Sequence, residues 1–91
     1  MKVLTDNPYV RHAHVAAEDD GKGNLRHVAI VLTDIVLSPL EPGYDEQSFT
    51  SLTAAAAEYL RNNSHAQAVV FERGTGGSGN RHQYEVNRGM I

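Results

Sequence analysis

The residues best suited to chemistry in this chain are histidines. His12-Ala13-His14 is a His-x-His pair, and in an extended strand residues two apart share a face. Neutral imidazole nitrogens at that spacing can hold zinc, copper or nickel. His27 falls on the segment expected to pair with this one, which would bring three rings within reach of one another. Five histidines in 91 residues produce such pairs readily by chance, and no carboxylate stands nearby in the same strand to complete a site. The pattern assigns no metal ligand and no cofactor. It reads first as a solvated or interface face.

A second pattern is Arg73-Gly74-Thr75-Gly76-Gly77-Ser78-Gly79-Asn80-Arg81. Glycine-rich backbone between arginines can cradle a phosphate. Such a loop should open a helix, but His82-Gln83-Tyr84-Glu85-Val86 reads as a strand, and the Lys-Ser/Thr pair of a nucleotide loop is absent. A slack hairpin loop, the least ordered internal segment, is the expectation. Nucleophilic catalysis lacks a signature: there is no cysteine and no Gly-x-Ser-x-Gly. Tyr44, Tyr84, Asp34 and the glutamates could serve acid–base chemistry, but the sequence does not bring them together. No catalytic residue is assigned. Two acidic clusters, Glu18-Asp19-Asp20 and Glu41 with Asp45-Glu46, suit a turn and a helix start. They would also match a basic groove on a partner.

These residues must be positioned by a small number of elements. Turn chemistry divides the chain at Glu18 to Asn24, at Ser38 to Gly43 and at Arg73 to Arg81, where Gly and Pro set the backbone. Tyr9 to Ala17 alternates as a strand, and Leu25 to Leu37 reads as its hairpin partner. Asp45 to Asn63 reads as a helix, with Phe49, Leu52, Ala56, Tyr59 and Leu60 on one face and Asp45 or Ser48 as its cap. Ala66 to Arg73 and Arg81 to Asn87 form a second hairpin. The order β-β-α-β-β predicts an α+β two-layer sandwich, a four-stranded, mainly antiparallel sheet with one helix on one face, in a single domain spanning 1–91.

The other sheet face is then uncovered. Centring the first turn on Gly21-Lys22 sets Ala13 opposite Ile30 and Val15 opposite Val28, with Leu32 completing the helix-facing side. The open side then carries His12, His14, Ala16, His27, Ala29 and Val31, joined by Ala68 and Val70 from the second hairpin. Asp34 would aim at the core unless a β-bulge at Thr33-Asp34 turned it outward.

Composition limits the functional classes. The chain is 41% hydrophobic and 21% charged, with a formal net charge of −3. That argues against disorder and against direct nucleic-acid binding. No apolar run reaches the ~20 residues of a spanning helix, so no membrane association is expected. With no leader pattern and no cysteine, the expected location is cytoplasmic. The reading is a small non-enzymatic binding protein acting through its surface, of the kind phages and mobile elements use to inhibit a larger host complex. The partner would be another protein, or a second copy in a homodimer. The binding surface would be the open sheet face (His12, His14, His27, Ala29, Val31, Val70) or the acidic residues Asp19, Asp20, Asp45 and Glu46. The alternatives are a histidine-based metal-binding protein or small enzyme, and a homodimeric domain of other function.

Overall fold

A computed structural model gives the architecture, and it describes residues 1–74 and 82–91. The order is α1 (Lys2–Thr5), β1 (Val10–Asp19), β2 (Leu25–Thr33), α2 (Glu46–Asn62), β3 (Ala66–Arg73), β4 (His82–Asn87) and a closing 3-10 turn, Arg88–Met90. The four strands form one open sheet in the order β1-β2-β3-β4. β1/β2 and β3/β4 are antiparallel hairpins, while β2 and β3 are parallel. Parallel neighbours require a crossover, and α2 supplies it. The fold is α+β, with a mostly antiparallel sheet and one main helix. Most of the glycine-rich loop, residues 75–81, lies outside the described residues, and with it the expectation of a slack loop.

α2 forms where its caps and its apolar stripe agree. Asp45 is the N-cap and its carboxylate accepts from the Ser48 backbone N–H at 3.1 Å. The helix ends at Asn63 without the left-handed turn its type allows: φ is −131°, and the side-chain amide donates to the Tyr59 carbonyl at 2.8 Å. Leu52, Ala55, Ala56, Tyr59 and Leu60 are buried. They pack with Ala29, Val31, Val69, Phe71 and Val86 from the sheet, and with Leu4 from α1. The periodicity did not reveal α1, which is only four residues long with no side-chain cap. Its Leu4 is nonetheless fully buried, and the Asn7 side chain ties the segment to Ser51 of α2 at 3.1 Å.

The register of the first hairpin differs from the expectation by one residue. Ala13 faces Val31, His14 faces Ile30 and Val15 faces Ala29. The turn is longer than a two-residue hairpin: Asp20 and Asn24 close it at 2.9 Å, with positive φ at Gly21 and Gly23 on either side of Lys22. A one-residue slip exchanges the faces of a whole strand. Ala29 and Val31 therefore lie under the helix, both fully buried, and Val28, Ile30 and Leu32 lie on the bare side. Alternation could not choose, because both faces of β2 are apolar; the turn chose.

The bulge also lies elsewhere. β2 ends at Thr33; the β1–β2 register shifts between Val10 and His12, and the β2–β3 register shifts between His27 and Val28. Asp34 still points outward, beyond the strand end, where it pairs with Arg11. Thr33 takes the last buried position. Its Oγ1 donates to the Tyr9 carbonyl at 2.6 Å and accepts from the Ile35 N–H at 3.3 Å.

Candidate functional site

The bare face of the sheet presents cross-strand rows. His12, Leu32, Glu72 and Gln83 form one, His14, Ile30, Val70 and Glu85 the next, and Ala16, Val28, Ala68 and Asn87 a third. The His12 and His14 rings are 5.4 Å apart. His27 is not with them. It pairs with Ala17 and belongs to the helix side, so the slip in register separates the three imidazoles onto two faces. Among the described residues no three His, Asp or Glu side chains are grouped to hold a metal ion.

The apolar centre of this face is only partly open to water, with Ile30 and Leu32 half-buried. Val28 and Ala68 are fully buried and Val70 is 7% exposed. The same face carries an ionic arm. Arg26 of β2 contacts Glu18 of β1 at 3.3 Å and Glu85 of β4 at 2.7 Å. β2 and β4 are two strands apart, roughly 9.5 Å at normal spacing, so the Arg26 and Glu85 side chains together bridge over β3. The bare-face residue of β3 between the two rows is Ala68, whose single methyl gives the arm room. The hydrogen bond to Glu85 raises the pKa of Arg26. The reciprocal bond from Arg26 holds the Glu85 carboxyl below its ordinary range, against desolvation, which pushes the other way. Sequence reasoning missed this triad, because its signal needs the hairpin register and the strand order together.

The exposed apolar surface lies on the helix side, at the far end of the first hairpin. α2 packs on β3 and β4, and α1 packs on β1 and α2. Neither covers the tip. Val15 is 56% exposed and Leu25 is 70% exposed. Both share the helix-facing parity with Ala17 and His27, also exposed, which lie between them. Beside this strip, between the sheet and the C-terminal end of α2, is a cleft of about 380 Å³ lined by Val15, His27, Tyr59, Asn63, His65 and Ala66. Two imidazoles, a tyrosine and an asparagine amide thus border an apolar floor. The other large exposed apolar residues are scattered: Tyr9 precedes β1, Leu40 stands on the β2–α2 connection, and Met90 and Ile91 are the last two residues of the sequence.

The acidic residues have local duties. The Asp19 carboxylate accepts from the Gly21 N–H at 2.8 Å, and that of Asp20 accepts from Lys22 at 2.7 Å and Asn24 at 3.2 Å. Asp45 caps α2, and Glu46 stands in its first turn. Asp19 pairs directly with Leu25, so the acidic turn adjoins the exposed strip, whereas Asp45 and Glu46 belong to the start of α2. Of the residues expected to form one binding face, His12, His14 and Val70 are on the bare side, and Ala29, Val31 and His27 are on the other. Among the described residues no helix is long and apolar enough to cross a membrane. No protein-family model matches the chain, and neither does any curated protein or solved structure.

Proposed function

We propose that this chain is a non-catalytic binding protein that docks the helix-side tip of its first hairpin onto a larger protein and acts by covering a site there. The observation behind this reading is the strip Val15, Ala17 and Leu25, left uncovered by both helices, with Leu25 70% exposed. Contiguous exposed apolar surface rimmed by polar groups is characteristic of interaction sites. The rim here is acidic, from Asp19 and Asp20 of the adjoining turn, which favours a partner with an apolar knob and a basic surround. Leu25 is the side chain to anchor such a contact, with the cleft beside His27 and Tyr59 receiving the partner's own apolar side chain.

The test is partner capture from the native host by the tagged chain, with Leu25→Asp run in parallel. Leu25 is exposed, so the variant should keep the parent's circular dichroism and melting temperature while capturing at least tenfold less of the same partner. A folded Leu25→Asp chain that captures as much as the parent would overturn the reading.

A further inference from the structure

The outer edge of β1 has no strand partner among the described residues, because β1 stands at the end of the sheet order. An edge strand offers unpaired N–H and C=O groups, and proteins blunt such edges with Lys, Pro, short length or bulges. β1 is ten residues long and carries its only bulge at its start, between Val10 and His12. From His12 to Asp19 the edge is regular and contains no Lys, Pro or Gly.

We propose that this edge pairs antiparallel with the β1 edge of a second copy, making one continuous eight-stranded sheet with Val15 on the two-fold axis. The register follows from symmetry and side-chain chemistry. Residues directly opposite in a sheet share a face. A two-fold axis perpendicular to the sheet keeps each face on its own side, so facing residues must have the same parity. One residue then sits on the axis, and within the regular stretch the central choices are His14, Val15 and Ala16. With His14 on the axis, imidazole meets imidazole and Ala17 meets Arg11. With Ala16 on the axis, Ala13 on the apolar side meets the Asp19 carboxylate. Val15 on the axis gives compatible pairs throughout. Val15 meets Val15 and Ala13 meets Ala17 on the helix side, while on the bare side His14 meets Ala16 and His12 meets Glu18. The His12–Glu18 pair thus occurs twice in the dimer, once on each side of the axis, and no charge opposes an apolar group. The exposed Val15 side chains gain a partner, and Leu25 remains outside the seam.

The chain contains no cysteine, so single-cysteine variants report the register without background. Facing Cα atoms of an antiparallel pair lie about 4.5–5.5 Å apart, within disulfide reach, whereas residues 13 and 13 of the two copies would be separated by about 14 Å along the strands. Val15→Cys should therefore cross-link with itself under mild oxidation at least tenfold faster than Ala13→Cys or Ala17→Cys alone. An equimolar mixture of Ala13→Cys and Ala17→Cys should give mainly the mixed dimer, and sedimentation of the parent should show a concentration-dependent dimer. A parent chain that stays monomeric to millimolar concentration overturns the proposal. So does fastest cross-linking through His14→Cys or Ala16→Cys, or cross-linking without positional preference. The assay uses the chain alone, so its failure is distinguishable from failure of the partner reading.

Discussion

Replacing Arg26 tests how the bare face of the sheet is kept from water. Arg26→Ala removes two contributions. The first is the ion pair with Glu85 and Glu18, whose side chains are 36% and 40% exposed against 27% for Arg26. Solvent screening at that exposure limits the pair to about 0.5–1 kcal/mol. The second is the aliphatic stem, which shares the bare face with Val28, Ala68 and Val70 and belongs to a side chain only 27% exposed. Full burial is worth ~0.8 kcal/mol per methylene, so a three-methylene stem that is mostly buried contributes roughly 1–1.5 kcal/mol. Arg26→Ala should then destabilise by about 2 kcal/mol, a fall in Tm of roughly 10 °C for a domain of this size. Arg26→Met keeps the stem and removes the charge, and should lose only about 0.5–1 kcal/mol. Urea titration followed by circular dichroism measures both. The reasoning fails if Arg26→Ala lies within about 0.5 kcal/mol of the parent, or if Arg26→Met is as damaging as Arg26→Ala, since either result removes the stem as the cover.

Three further expectations follow from single contacts. The Glu85 carboxyl has a lowered pKa in the folded chain, so its contribution is present above the ordinary carboxylate range and lost as pH falls through the folded value; the stability gap between the parent and Arg26→Met should shrink below about pH 4, as urea midpoints across pH 7 to 3 will read. Asp45→Ala removes the cap of α2 and should cost about 1 kcal/mol, visible as a lower urea midpoint with an unchanged slope. Thr33→Val keeps the buried shape, but it removes the hydroxyl bonded to the Tyr9 carbonyl and the Ile35 N–H. It should cost about 1–2 kcal/mol, with faster amide exchange at Ile35.

The parts of this fold written in local chemistry were legible in the sequence. The apolar spacing of α2, its Asp45 cap, the β3 limits Ala66 to Arg73 and the strand-strand-helix-strand-strand order can all be read from neighbours a few residues apart. So can the placement of Val69 and Phe71 in the core, and of Ala68 and Val70 on the bare face. What resisted reading was register. β2 offers Val28, Ile30 and Leu32 on one side and Ala29, Val31 and Thr33 on the other, and the hydrophobic effect scarcely distinguishes them. A single additional residue in the Asp20–Asn24 turn decided between the two sets. It sent His27 away from His12 and His14, and it moved the candidate surface from the bare face to the hairpin tip. The Arg26 arm was hidden for a related reason. It joins residues 59 positions apart, and only the parallel β2–β3 pairing places Glu85 within its reach. α1 was invisible because one buried leucine in four residues carries no period.

Two matched substitutions decide which face of the first hairpin meets the partner. Leu25→Asp puts a carboxylate into the helix-side strip at the tip, and Leu32→Asp puts one onto the bare face, where Leu32 is half-buried. Once the captured partner is purified, its affinity for each folded variant is measured by titration calorimetry beside the parent. Docking through the tip gives at least a tenfold weaker Kd for Leu25→Asp, and less than a twofold change for Leu32→Asp. The opposite pattern, with Leu32→Asp abolishing binding and Leu25→Asp leaving it intact, would return the site to the bare face and rule out docking through the hairpin tip.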